Sequence, residues 1–308
     1  MTPPPFFVVG FQRSGTTLLR LMLDNHPDIA IPLDTVGLWS RYEDRLSEYH
    51  NLASTADRAR LVSDLLAEER IQLWETPLSA ERILSRVGAG TFPDIIRAFH
   101  ECYAETRGKT LWGDKDPGNM LRIPQLVRWF PECRMLHIIR DGRDACLSQL
   151  EQSFGSDDLL DCACEWREQV WWVRQLGAIM GPARYFELRY EDLVAQPESW
   201  LRRICGFLGV PYAASMLQYH ESVSKSVPDS KRHIWPKLDQ PPRADNTERW
   251  KRKLSPAMRA CFEKRAWDVL RSCDYETFPA RPDNTGLQEF RYLARRALKS
   301  MKRRMSRT

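Results

Sequence analysis

Phe6-Phe7-Val8-Val9-Gly10-Phe11-Gln12-Arg13-Ser14-Gly15-Thr16-Thr17-Leu18-Leu19 is the stretch that decides the fold. Four consecutive apolar residues, aromatic and then β-branched, read as a strand buried in a parallel sheet. They stop at Gly10, and after a polar stretch Leu18, Leu19, Leu21, Met22 and Leu23 recur at helical spacing until Asn25-His26-Pro27 ends them. Between strand and helix, Gly10 and Gly15 form a GxxxxG frame, in which backbone N–H groups and the helix N-terminus cradle a phosphate. The frame departs from a nucleoside-triphosphate loop at one place. Thr16 stands where Lys is expected after the second Gly, and a nucleoside triphosphatase needs that ammonium, with a metal, on its β and γ phosphates. The cation here is Arg13, ahead of Gly15. The loop reads as built for a terminal 5'-phosphate with little or no magnesium; the bland alternative is an ordinary strand-to-helix turn.

Outward from this loop, residues 39–108 are helical in pattern throughout, a helical insertion over the sheet. Residues 119–130 read as a helix and 134–139 as the second strand. Asp141-Gly142 then opens a helix through Gln152. A long aromatic helix over 161–180 precedes a third strand at 183–188 and a helix near 199–208. Alternation of this kind predicts an α/β fold, a phosphate-loop-like parallel sheet flanked by helices, with the insertion covering the acceptor side. Residues 222–246 are Pro-rich and aperiodic, a long loop of the kind that is often functional, and 255–271 is helical. Domain boundaries are expected at 1–279 for the α/β domain and 280–308 for a basic terminal segment.

The 308 residues are 43% hydrophobic and 10% aromatic, which excludes disordered and fibrous chains and allows one or two domains. No apolar run approaches the roughly 20 residues of a spanning helix. The start, Met1-Thr2-Pro3-Pro4-Pro5, lacks the features of a secretory signal, so a cytoplasmic protein is expected. Eight Cys and six His are scattered without zinc spacing; free thiols and no metal are expected. The net charge of +5 is concentrated in residues 287–308, which hold eight Lys/Arg against Glu289 alone. The remainder is near neutral, which argues against a nucleic-acid-binding surface. The tail places Leu287, Phe290, Ala294, Leu298, Met301 and Met305 on one helical face, a basic amphipathic helix suited to an anionic membrane surface or to packing on the body. Trp166, Trp171 and Trp172 read as core and interface, whereas Trp39 and Trp74 are candidates to line an acceptor site. Oligomeric state has no signature.

A second candidate site follows the second strand: Ile138-Ile139-Arg140-Asp141-Gly142-Arg143-Asp144-Ala145-Cys146-Leu147-Ser148. Arg140 sits at the strand's C-terminal edge, where open α/β sheets bind ligands, and Ser148 is about two helical turns on. A guanidinium with a hydroxyl suits a second phosphate, or the segment is a salt-bridged surface loop. Two phosphate sites at successive strand ends, one without the triphosphate lysine, resemble the sulfotransferases that use 3'-phosphoadenosine 5'-phosphosulfate (PAPS). The resemblance is nearest to the tyrosylprotein sulfotransferase branch and its bacterial relatives. It rests on RSGTTLLRLMLDNHP at 13–27, Lys115-Asp116-Pro117, Arg140-Asp141-Gly142-Arg143 and Tyr190-Glu191-Asp192-Leu193, in the family's order, and runs from about residue 6 to 250.

The resemblance implies that Arg13, Ser14, Gly15, Thr16 and Thr17 hold the 5'-phosphosulfate and that Lys115 reaches the bridging oxygen or the moving sulfuryl group. It implies Arg140 and Ser148 for the 3'-phosphate, Tyr190 along the adenosine site, and Ser224 near the transfer. The family's base is a Glu; at the same distance from the loop this chain has Asp34, in Pro32-Leu33-Asp34-Thr35, one methylene shorter. Asp34 otherwise caps the next helix, leaving His26 or a histidine of the insertion as alternative bases. The family's Lys-Pro before a Trp is replaced by Gln240-Pro241 ahead of Trp250, with Arg243 or Lys237 as substitutes. The expected activity is sulfuryl transfer to an acceptor hydroxyl on tyrosine, carbohydrate, lipid or a small molecule. The rivals are a P-loop kinase or NTPase and a catalytically inactive nucleotide-binding protein.

Overall fold

In the computed structural model β1 (Phe6–Val9) is the middle strand of five. Residues 3–33, 35–74, 76–152, 158–221, 238, 240–241, 246–283 and 285–287 are described. β1 leads through the loop into α1 (Thr16–Asp24) and then the two-residue β2 (Ile29–Ala30). The insertion follows as α2 (Leu38–Asp44), α3 (Thr55–Ala67), α4 (Glu69–Gln72), α5 (Ala80–Arg86) and α6 (Phe92–Thr106), helical as expected. Local chemistry sets its boundaries. Ser54 and Ser79 cap α3 and α5, and α6 opens on a reciprocal cap in which Thr91 and Asp94 satisfy each other's backbone N–H.

β3 (Leu111–Lys115) returns to the sheet, and a 3-10 turn at Pro117–Leu121 leads to α7 (Ile123–Trp129) where one helix was expected over 119–130. β4 (Arg134–Ile139), α8 (Gly142–Leu150), α9 (Leu159–Met180) and β5 (Tyr185–Arg189) restore the alternation read from sequence. α10 (Tyr190–Ala195), α11 (Pro197–Leu208), α12 (Trp250–Lys253) and α13 (Pro256–Ser272) follow. Most of 222–246 and all of the basic tail from 288 lie outside the described residues. Among the described residues no helix is long and apolar enough to cross a membrane. All eight cysteines are free.

All four strand pairings are parallel, in the order β2-β3-β1-β4-β5. The chain moves from β1 to one side, through β2 and β3, and then crosses back past β1 to β4. The carboxyl ends around β1 are therefore where the winding reverses, the ligand crevice of open parallel sheets. Successive side chains alternate faces. Phe6, Val8, Leu136, Ile138 and Leu188 pack with α1 and with Leu193, Leu201 and Ile204. Phe7 on the opposite face meets Trp112 and Phe130, ring centroids 6.1 and 5.8 Å away.

By its internal contacts the chain divides into two units, residues 1–139 with 172–244 and residues 140–171 with 245–308. The first holds the sheet, the loop after β1 and the insertion. The second begins at Arg140 and is organised around α8 and α13.

Candidate active site

In the first unit the loop after β1 has the backbone of an anion cradle. Arg13 and Gly15 adopt left-handed φ of 66° and 93°, and Ser14 N–H turns back to the Phe11 carbonyl at 3.0 Å. Alternating backbone hand points successive N–H groups into one concavity. Gly15 is the N-cap of α1 and brings no side chain to its first N–H groups, which are left for a ligand. A Cβ on Gly10 would lie 2.5 Å from the Ile138 carbonyl, and one on Gly15 2.4 Å from the Tyr190 ring. Both frame glycines are thus required by close approach. Ser14 is fully buried and its Oγ has no hydrogen-bond partner among the described residues. A buried orphan hydroxyl in a loop of this shape fits a phosphate or sulfuryl oxygen.

Strand pairing brings the second cation to this loop. Val8 is in register with Lys115, the last residue of β3, so Lys115 lies across from β1 two residues before the loop begins. Lys115 is buried between two acids. Asp116 accepts Gly37 N–H at 2.7 Å and Gly118 N–H at 2.8 Å, and burial, reinforced by the Asp114 charge, holds its pKa above the usual carboxylate value. Asp114 accepts the Thr35 hydroxyl at 2.5 Å and Asn119 Nδ2 at 3.1 Å. Burial alone would raise its pKa; His100, Thr35 and Asn119 together leave it lowered. Thr35 also reaches the Lys115 carbonyl at 3.4 Å. The turn at Thr35 and Gly37 is therefore tied on both sides of Lys115.

The stretch 13–27 resolves into two jobs. Arg20 and Asp24 on α1 are buried and do structural work: Arg20 Nε and Nη2 donate to the Ile31 carbonyl at 2.9 and 2.6 Å, and Asp24 accepts Ile31 N–H at 2.9 Å. Burial pushes the Asp24 pKa up, but Arg20, Lys109 and Arg107 outweigh it and hold the carboxylate ionised. His26, the alternative base, is 1% exposed with both ring nitrogens engaged. Nε2 meets the Pro211 carbonyl at 2.6 Å and Nδ1 accepts Asp28 N–H at 3.0 Å, so it anchors a turn. His100 of the insertion is fully buried, which removes it from an acceptor's reach. Trp39 and Trp74 do not line an open surface either; they are buried, with ring centroids 5.4 and 5.5 Å from His100. Trp166 is core as expected, whereas Trp171 and Trp172 are exposed.

In the second unit Arg140 is 3% exposed and donates to the Asn246 carbonyl at 2.6 Å, while its own carbonyl accepts Trp166 Nε1 at 3.1 Å. Ser148 is buried on α8. Asp141 and Asp144, at 141 and 144, share with Ser148 one face of the helical repeat. Their partners are internal. Arg143 is fully buried, forms a two-pronged pair with Asp141 (2.9 and 2.7 Å), donates to Glu263 at 2.7 Å and lies 3.7 Å above the Trp250 ring. Asp144 accepts Trp250 N–H at 2.8 Å and Arg249 N–H at 3.3 Å. Within the second motif, Arg143 and Asp144 hold the fold through these internal contacts.

The structure thus gathers Arg13, Ser14, Gly15, Thr16, Thr17, Lys115 and Tyr190 around the carboxyl ends of β1 and β3, and Arg140 and Ser148 at the start of the second unit. Asp34, Ser224, Lys237 and Arg243 lie outside the described residues; the Gln240 carbonyl accepts the Tyr219 hydroxyl at 2.7 Å. Sequence reasoning did not single out Thr35, Asp114 or His100. Their signal, an Asp on each side of Lys115, was present but carries no meaning without the turn it holds. Among the described residues no group of three or more His, Cys, Asp and Glu is placed to hold a metal.

A model of the sulfotransferase family matches residues 4–214. The chain belongs to the sulfotransferase family. The zebrafish (Danio rerio) protein-tyrosine sulfotransferase 1 is 25% identical over 228 residues, 72% of this chain and 58% of that protein. This family member spans about half the length of the curated relatives it matches. The sulfotransferase domain of the Synechococcus olefin synthase has the same fold, with a TM-score of 0.63 at 23% identity over 89% of this chain and 96% of that one. A mouse sulfotransferase crystallised with PAP, the desulfated cofactor, aligns at a TM-score of 0.50 and 14% identity over 88% and 86%.

Proposed function

We propose that this sulfotransferase-family chain moves the sulfuryl group of PAPS to an acceptor hydroxyl, with a tyrosyl hydroxyl as the first acceptor to test. The observation that carries the reading is the loop at 10–17: a left-handed anion cradle with a buried orphan serine, a threonine in place of the triphosphate lysine, and Lys115 supplied from the neighbouring strand. The name of the zebrafish relative supports tyrosine as acceptor. When bound, PAPS supplies an activated sulfuryl group whose S–O bond to the 5'-phosphate breaks as the new O–S bond to the acceptor forms.

The chain's own residues then have distinct tasks. The N–H groups of the loop and the Arg13 guanidinium bind the 5' end and fix its direction. Lys115 meets the negative charge that collects on the phosphate side as the bond breaks, which favours the transition state over the ground state. Tyr190, against Gly15, closes the loop on the nucleotide side. Arg140 and Ser148 are assigned the 3'-phosphate. The acceptor proton passes to a carboxylate, assigned on sequence grounds to Asp34, with Ser224 assigned beside the transferring group.

The test is transfer of label from 35S-PAPS to a tyrosine-containing peptide, a simple phenol and a sugar, without magnesium. Label on the peptide tyrosine supports the reading and its acceptor; label on another hydroxyl keeps the reaction and changes the acceptor. Magnesium-dependent ATP turnover with no sulfuryl transfer overturns it.

A further inference from the structure

Asp114 and His100 make a buried arrangement that neither loop chemistry nor packing demands. Asp114 on β3 is 1% exposed, and His100 on α6 and Thr35 in the turn after β2 are fully buried. The His100 ring is enclosed by the indoles of Trp112 (stacked, centroids 4.6 Å apart), Trp39 and Trp74. Its Nδ1 lies 2.9 Å from the Ile96 carbonyl one turn back on α6, and because a carbonyl only accepts, Nδ1 is a donor. That contact and the three indoles fix the ring so that Nε2 lies 3.6 Å from Asp114 Oδ1, a contact beyond hydrogen-bond distance that attracts the carboxylate when both ring nitrogens carry a proton. The same Oδ1 takes the Thr35 hydroxyl at 2.5 Å, and Thr35 is tied to the Lys115 carbonyl as well. A carboxylate is costly to bury unless its oxygens are held by donors. What the carboxylate adds is a hold on the turn that follows β2.

We propose that His100 and Asp114 are positioning residues for sulfuryl transfer, locking the turn at Thr35 and Gly37 against the strand end that carries Lys115. The role in transfer rests on the function proposed above; the lock itself does not. His100 acts through Asp114, and Asp114 through Thr35, so neither touches the reacting atoms. Lys115 and the turn are then held as one rigid edge, and a shift of that edge by a fraction of an ångström lowers the rate without weakening the nucleotide.

The experiment compares Asp114→Asn, His100→Gln and Thr35→Val with the unmodified chain in three measurements. These are hydrogen–deuterium exchange over 29–38, calorimetric affinity for PAP, and kcat and KM for PAPS with the acceptor that takes label most rapidly. The expected result is exchange at 29–38 faster by about tenfold or more in all three variants, with exchange in α1 and α8 unchanged. PAP affinity is expected within about twofold and kcat lowered about tenfold or more at constant KM. Unchanged exchange at 29–38, faster exchange throughout the chain, or unchanged kcat despite a loosened turn would each overturn the proposal. If the unmodified chain transfers sulfuryl to no acceptor, the functional reading fails by itself, and the exchange pattern alone decides whether the lock exists.

Discussion

Replacing Gly15 by Ala asks an L side chain to hold a φ of 93° and sets its Cβ 2.4 Å from Tyr190 Cδ2. The first demand costs about 1–2 kcal/mol and the overpacking about 1–3 kcal/mol. Gly15→Ala is therefore expected to weaken PAP binding at least about tenfold, and Tyr190→Ala in the same chain to recover only the steric part. Calorimetry on the single and double variants checks this; full recovery would mean that the loop's backbone hand is unimportant. Lys115→Ala is expected to lower kcat by about 10²–10³ with little change in PAP affinity, the pattern of a charge used mainly in the transition state. Equal losses in binding and rate would make Lys115 a general binding residue. Arg13 and Thr16 were legible in the sequence because they sit in a short motif whose spacing is local, and Lys115 was legible through the family resemblance. The Thr35–Asp114 bond was not, because 79 residues separate its partners and only the sheet brings them together.

Helices and strands differed in how openly they announced themselves. β1 is uniformly apolar and β4 is apolar apart from Arg134 and His137, and the expected boundaries 134–139 match β4 as it stands. β3, Leu-Trp-Gly-Asp-Lys, went unread: two charged residues end it, and their burial at a ligand edge runs against the apolar pattern of an inner strand. β2 has two residues and no pattern at all. α8 gave a misleading emphasis, since Arg143 looks as available to an anion as Arg140. It is instead paired with Asp141 and Glu263 beneath Trp250, with no exposure. Arg143→Ala takes the guanidinium away from buried Asp141 and leaves buried Glu263 with Arg259, and is expected to cost about 3–5 kcal/mol in urea unfolding. A change below about 1 kcal/mol would show that the cluster is solvated in solution. Glu263 is the partner to vary next, because it also accepts Arg259 at 2.6 Å and Phe278 N–H at 2.7 Å.

At the scale of the whole molecule, buried titratable groups set how stability follows pH. His137 is fully buried; its Nδ1 donates to the Tyr185 hydroxyl at 2.7 Å, which donates on to Glu187 at 2.7 Å. Burial, with Arg174 nearby, pushes the His137 pKa down to about 3 from 6.5. Below pH 6.5 the unfolded chain takes up a proton that the folded chain refuses until about pH 3, so stability falls as pH drops through that window. Asp24 and Asp114 have lowered folded values; their contribution is full above the unfolded value of 3.8 and is lost as pH falls through the folded one. Urea midpoints are expected to decline from pH 6.5 downward in the unmodified chain and to decline less in His137→Gln between pH 6 and 4. A parallel decline in both would assign the loss to other groups. Calorimetric titration with PAP in the absence of magnesium, on the unmodified chain and on Arg140→Ala with magnesium-ATP as comparison, tests the ligand assignment most directly. Binding of PAP that is selective over magnesium-ATP and lost in Arg140→Ala is the predicted result. Preference for magnesium-ATP, or a folded chain that does not bind PAP, would contradict the account from the phosphate loop onward.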